Sequence, residues 1–193
     1  MFVKICGITN REDAIAAAAA GASAIGFNFY RESPRYISPT GAAMIAEKLP
    51  AQVWKVGVFV NEAPETVARV ALDAGLDVAQ LHGASEGRGI RIWRALTVDA
   101  LLSEEVADTA EALLLDTPST ELFGGTGESW DWSRAASFKQ KIIIAGGLDA
   151  ANVRRAIEEA RPWGVDVCSR IEKSPGLKDH DKMTKFVKAA LGL

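Results

Sequence analysis

The sequence predicts an α/β protein, a compact (β/α)8 barrel of the TIM-barrel type made by a single domain over residues 1–193, with the fourth helix shortened or missing. Three observations carry this. Eight short β-branched runs recur along the chain, helical stretches with capping marks separate most of them, and unusual polar residues gather where the runs end. The runs are Val3–Cys6, Ala24–Phe29, Trp54–Val60, Val78–His82, Ile92–Leu96, Ala112–Asp116, Ile142–Ala145 and Val165–Cys168. A doubly wound open sheet is the alternative, and it would bring fewer strand ends around a common centre.

Taken in order, the first run ends at Cys6 with Gly7 behind it. Thr9 and Glu12 have capping-box spacing for a helix through the alanine run Ala16–Ala20, and Gly21 marks its C-terminal stop. The second run leads to Ser38–Pro39, an N-cap followed by proline at the first helical position. Between His82 and the fifth run stands only the stretch GASEGRGIR. That is shorter than the dozen or so residues a helical crossover needs, so the fourth helix should be missing or reduced to a turn. After the sixth run, FGGTG at Phe123–Gly127 lies in a long loop suited to covering a ligand, while Trp130 and Trp132 are expected to pack a helix. Asp149 is placed to cap a helix through Ala160.

Composition narrows the function classes. Nearly half of the 193 residues are hydrophobic and the formal charge is −3, so neither nucleic acid nor an anionic membrane is the expected partner. A small anionic ligand remains open. Two cysteines, Cys6 and Cys168, make neither a metal-type CxxC pair nor a secreted disulfide framework, and a reducing cytoplasm fits them. The alanine run is too short to span a bilayer, and the first residues lack a signal-like pattern. The chain has only two histidines, His82 and His180, which weakens any reading as a metal-dependent epimerase.

Glycine pairs at the last strands have a chemical meaning. In IIIAGGLDAANV the backbone at Gly146 and Gly147 can approach an anion closely, and in barrels of this type the loops after strands seven and eight often hold phosphate. Ser169 and Arg170, in CSRIE, belong to the same expected phosphate site. The glycines could equally serve a tight strand-to-helix turn.

The motifs KICGIT, SPRYIS, GVFVN, QLHG, LLLDT, GGTG, AGGL and GVDV, in this order over nearly the whole chain, resemble the phosphoribosylanthranilate isomerase family of tryptophan biosynthesis. The resemblance implies a cofactor-free and metal-free (β/α)8 enzyme, an intramolecular oxidoreductase of the aldose–ketose type, working as a monomer or homodimer. Its reaction is the Amadori rearrangement of N-(5-phosphoribosyl)anthranilate, in which an acid protonates the furanose oxygen and a base removes the C2′ proton. By the resemblance the base is Cys6, the acid is Asp116, and Arg35 in SPRY holds the anthranilate carboxylate. Lys4, two residues before Cys6 on the same strand face, is an expected source of positive field for a thiolate. Asp116 should have a raised pKa. His82 and Asp166 are expected to line the substrate cavity without a proton-transfer role.

One stretch departs from the family pattern. After GVDV the usual SSGVE reads CSRIE here, so Cys168 and Arg170 stand in place of a serine and a glycine. The expectation is that phosphate still binds through Gly147 and Ser169, with the Arg170 side chain turned toward solvent or ligand. Two other classes were open on the residues alone: another phosphosugar-binding barrel enzyme, or a noncatalytic ligand-binding or thiol redox protein.

Overall fold

A computed structural model describes residues 1–97, 110–116, 131–136 and 138–193. Eight parallel strands close into a barrel in sequence order: β1 (Phe2–Ile5), β2 (Ala24–Asn28), β3 (Trp54–Val60), β4 (Val78–His82), β5 (Arg91–Thr97), β6 (Ala112–Asp116), β7 (Lys141–Ile144) and β8 (Gly164–Val167), with β8 pairing back onto β1. Among the described residues the helices are α1 (Arg11–Ala20), α2 (Pro39–Ala46), α3 (Pro64–Asp73), α4 (Val153–Ala160) and α5 (His180–Leu191). A small antiparallel pair, β9 (Glu172–Ser174) and β10 (Leu177–Lys178), follows β8. No helix stands between β4 and β5, as the short connection predicts.

Alternation along the strands separates two cores. Val3, Ile5, Ile25, Phe27, Leu113, Leu115, Ile142, Ile144, Val165 and Val167 point outward and pack beneath the helices. The opposite set points into the barrel. At the N-terminal end of the barrel that interior is filled by Phe2, Trp54, Trp93 and Trp163, with Phe2 and Trp163 stacked at 4.3 Å between ring centroids. At the other end the inward residues are mostly polar, with Asn28, Gln80, His82, Asp116 and Asp166 beside the apolar Val58 and Leu114. The aromatic plug therefore makes the floor, and the polar rim the site.

Capping differs from the sequence reading in two places. Helix α1 is capped by Asn10, whose side chain accepts from the Asp13 amide at 2.8 Å, one position on from the expected Thr9–Glu12 box. Thr9 is used elsewhere, donating to the Gly176 carbonyl at 2.6 Å. Asp149 caps no helix directly: its carboxylate accepts from the amides of Ala151 and Asn152, forming a turn ahead of α4, which begins only at Val153. Ser38 and Gly21 act as predicted, Ser38 accepting from the Gly41 amide and Gly21 taking the left-handed conformation. Trp132 is buried against α4, with the Arg155 guanidinium 5.1 Å from its ring centroid. Residues 123–127 and Trp130 lie outside the described residues.

Helices α1 and α5 cover the seam where β1 meets β8, and Phe186 of α5 is fully buried there among the outward residues. Replacing Phe186 with alanine should lower unfolding free energy by about 3–5 kcal/mol, read as a reduced midpoint in urea. A change below about 1 kcal/mol would mean that this packing does not hold the seam.

Candidate active site

Parallel register decides which side chains meet. Lys4 stands opposite Asp166 across β1 and β8, and both are buried, with Lys4 Nζ 2.9 Å from Asp166 Oδ1. Burial by itself would lower the pKa of the lysine, but the charges of Asp166 and Cys6 and their hydrogen bonds outweigh it and raise it, so Lys4 is a fixed cation. Burial pushes the Asp166 carboxyl up to about 7 against the pull of Lys4, with the nearby charges of Cys6 and Asp116 adding to the rise.

Cys6 follows β1 directly and its amide donates to the Val167 carbonyl at 2.9 Å. Its sulfur is held well below the ordinary thiol range: the Cys168 thiol donates a hydrogen bond to it, burial opposes, and the charges of Lys4 and Lys178 favour the thiolate. The same contact keeps the proton on Cys168, whose thiol is pushed well up. Space for this arrangement comes from glycine. A methyl group on Gly26, the inward residue of β2 beside Cys6, would lie 2.8 Å from the Cys6 sulfur and 3.0 Å from Lys4 Cε. One on Gly7, which has φ +70°, would lie 2.8 Å from the Cys168 sulfur and 2.7 Å from Arg35 Cδ.

Behind the thiols runs a second set of charges. Arg35 Nε and Nη2 donate to the Glu172 carboxylate, the shortest contact being 2.7 Å. The buried Lys178 donates to Glu172 Oε1 at 2.8 Å and to the Cys168 carbonyl at 3.1 Å, its Nζ standing 3.8 Å from the Cys168 sulfur. Glu172 thus occupies one edge of the Arg35 guanidinium. The edge formed by Nη1 and the second Nη2 hydrogen remains for a second planar anion, since guanidinium carries five N–H donors in a fork. The loop that carries Arg35 is tied down by Ser33, whose hydroxyl accepts from the amides of Arg35 and the side chain of Asn28 at 3.1 Å each.

Two adjoining hollows open on the rim. The larger is lined by Cys6, Asn28, Tyr30, Arg35, Val58, Gln80, His82, Leu114, Asp116, Asp166 and Cys168 among others. The smaller is lined by Gly146, Gly147, Leu148, Ser169 and Arg170, and shares Asp116, Asp166 and Cys168 with the first. Every site residue expected from sequence therefore falls in one of two connected spaces. Gly146 and Gly147 have φ +83° and +63°, and the Asn152 side chain holds the Gly147 carbonyl at 2.8 Å. Ser169 and Arg170 form a 3-10 turn directly after Cys168, with Arg170 exposed. Among the described residues no group of three His, Cys, Asp or Glu side chains is placed to hold a metal ion.

His82 sits at the end of β4, 3.0 Å from Gln80 Nε2. Burial first, and then the charges of Lys4 and Arg94, lower its pKa to about 4, so it is neutral at neutral pH and accepts from the Gln80 amide. Gln80 Oε1 is buried and has no hydrogen-bond partner among the described residues. Sequence reading assigned no role to Gln80, Gly26, Glu172 or Lys178. A glycine inside a strand is the one signal that pointed to close approach at Gly26, and the alternation of QLH put Gln80 on the His82 face.

A closed parallel barrel whose C-terminal rim joins a thiolate, a carboxyl group, an arginine fork and a glycine-lined anion pocket defines a (β/α)8 enzyme acting on a small anionic molecule. Residues 3–189 match the model of the N-(5'phosphoribosyl)anthranilate (PRA) isomerase family, and the chain belongs to that family. It is 54% identical to N-(5'-phosphoribosyl)anthranilate isomerase of Solibacter usitatus over the full length of both chains. The crystal structure of phosphoribosyl anthranilate isomerase from Thermotoga maritima is similar with a TM-score of 0.89 at 42% identity, covering 100% of each chain. A crystal structure of phosphoribosyl anthranilate isomerase in complex with reduced 1-(O-carboxyphenylamino)-1-deoxyribulose 5-phosphate is similar at 39% identity and a TM-score of 0.83, again covering 100% of each chain.

The neutrality of His82 is directly measurable, because the chain has only two histidines. Imidazole 15N shifts should show one ring that stays neutral until about pH 4. The unfolded chain protonates that histidine near the ordinary value of 6.5, so it binds more protons than the folded chain between about 4 and 6.5. Stability from this group is lost as pH falls through that window, and the loss should vanish in His82→Asn. A spectrum in which both rings titrate at or above 6.5 would contradict the assignment.

Proposed function

We propose that this protein is a phosphoribosylanthranilate isomerase of tryptophan biosynthesis that rearranges N-(5-phosphoribosyl)anthranilate to 1-(2-carboxyphenylamino)-1-deoxyribulose 5-phosphate, with Cys6 as general base and Asp116 as general acid. The observation that carries the residue roles is that Cys6, beside the cations Lys4 and Lys178 that draw its thiol down, lines the same cavity as Asp116 at the end of β6. The reaction moves protons within one molecule, so an acid and a base suffice for it.

Asp116 gives its proton to the furanose oxygen, the C1′–O bond opens, and the anthranilate nitrogen shares its lone pair to form the protonated Schiff base. The Cys6 thiolate then takes the C2′ proton, leaving an enolamine that tautomerises to the 2′-ketone. The two-edged fork of Arg35 receives the anthranilate carboxylate while Glu172 keeps the guanidinium oriented. Gly146, Gly147, Ser169 and Arg170 receive the phosphate, the positive φ of both glycines presenting backbone without side-chain bulk. Asp166 and neutral His82 line the sugar between them, and Gln80 Oε1 accepts from a substrate N–H or O–H. The protein acts in the cytoplasm as one barrel domain, as a monomer or homodimer, without nucleic acid or membrane.

Loss of phosphoribosylanthranilate fluorescence provides the assay. Cys6→Ser and Asp116→Asn should each lower kcat by about 10²–10⁴-fold, while a folded variant with undiminished turnover would overturn its assigned role. For the wild type, kcat/KM should fall on the acid side as the thiolate is protonated, at a pH below the ordinary thiol value of 9.0. An acid limb centred at that value or above would show that Cys6 is not the pre-ionised base. Arg170→Gly should change KM by less than about 3-fold, since backbone groups hold the phosphate; a strong gain in affinity would show that arginine obstructs the site.

A further inference from the structure

Both cysteines of the chain lie at one seam. Ile5 stands opposite Val167 in the β1–β8 register, and Cys6 and Cys168 are the next residue on each strand path. Both line the same cavity. Neighbouring strands run about 4.8 Å apart, which falls within the roughly 4.4–6.8 Å that a disulfide spans between Cα atoms. The two side chains follow paired residues of adjacent parallel strands and point the same way, and the missing side chain of Gly7 leaves the face over Cys168 open. We infer that Cys6 and Cys168 form a paired modification site that a small hydroperoxide converts to an intramolecular disulfide.

The chemistry balances with the groups present. The Cys6 thiolate attacks one peroxide oxygen, the O–O bond breaks, and the departing oxygen takes a proton and leaves as alcohol or water. Cys6 is then a sulfenic acid. Cys168 loses its proton beside the ammonium of Lys178, 3.8 Å away, and its sulfur attacks the Cys6 sulfur. The S–O bond breaks and water leaves. Two thiols have supplied the two electrons that reduced the peroxide. The serine usual at the position of Cys168 in the family could not close this bond, so the capacity belongs to the CSRIE variant of the rim.

A disulfide there also occupies the proposed base, and that part rests on the isomerase reading above. The covalent step is tested without it. Full-length protein is treated with hydrogen peroxide and then with dithiothreitol, with thiol titration, intact mass and isomerase rate measured at each stage. The expected result is loss of both titratable thiols, a mass lower by two hydrogens, a non-reducing digest that joins the two cysteine peptides, and recovery of each on reduction. In Cys168→Ser, Cys6 should instead gain oxygen atoms, and its activity, compared with the same variant untreated, should not return. A wild type that gains oxygens at Cys6 while Cys168 stays titratable, or that links one chain to another, would overturn the proposal. A disulfide that forms in a protein with no isomerase rate before treatment would leave this inference standing and sink the isomerase reading.

Discussion

The ion pair between Lys4 and Asp166 is the contact on which the rest of the site depends. It joins the first strand to the last, across 162 positions of sequence, inside the closed barrel. Removing one partner of such a pair leaves a buried charge uncompensated, a loss of about 3–5 kcal/mol in measured cases, so the seam and the charge pattern stand or fall together. It also fixes the inward direction of both strands. With Lys4 and Asp166 facing each other, the alternation of the strands sends Cys6 and Cys168 to the same side, one step nearer the rim.

Around that pair the site separates charges by environment more than by residue type. Two carboxyl groups illustrate it. Asp166, beside the thiolate and desolvated, is pushed up to about 7, whereas Glu172, although burial works to raise it, is drawn down by Arg35 and Lys178. The cysteines divide in the same manner, the Cys6 thiol drawn down and the Cys168 thiol pushed up. Three cations, Lys4, Arg35 and Lys178, stand within this cluster, each in contact with at least one acidic group. A ligand with a carboxylate and a phosphate therefore enters a site whose positive groups are already oriented, which lowers the reorganisation that binding and proton transfer would otherwise require.

Much of this was legible in the sequence because barrel strands alternate with period two and end in polar residues. The reading placed the ends of β3, β4 and β6 at Val60, His82 and Asp116, as observed, and missed the ends of the other five strands by a single position. The absent fourth helix followed from the shortness of the connection between β4 and β5. What period and spacing could not supply was pairing at long range: that Lys4 chooses Asp166, that Glu172 takes one edge of Arg35, and that Lys178 reaches back from β10 to the Cys168 carbonyl. Those choices depend on the register that closes the barrel. The misplaced cap has a similar origin, since Thr9 is drawn to Gly176 by a contact 167 positions away, leaving Asn10 to start α1.

The seam has a consequence for biosynthesis. Lys4 and Cys6 are synthesised well before the strand that completes their surroundings, with Asp166 coming 162 positions after Lys4. At about 5–20 residues per second, that is an interval on the order of ten to thirty seconds. Through it the nascent chain has no Asp166 for Lys4 and no Cys168 for Cys6, so the first strand carries an unpaired ammonium and a thiol of ordinary acidity. The environment that depresses the Cys6 thiol is thus completed only when β8 and the residue after it have been synthesised, and a chain truncated before β8 would lack it however much of the barrel had already formed.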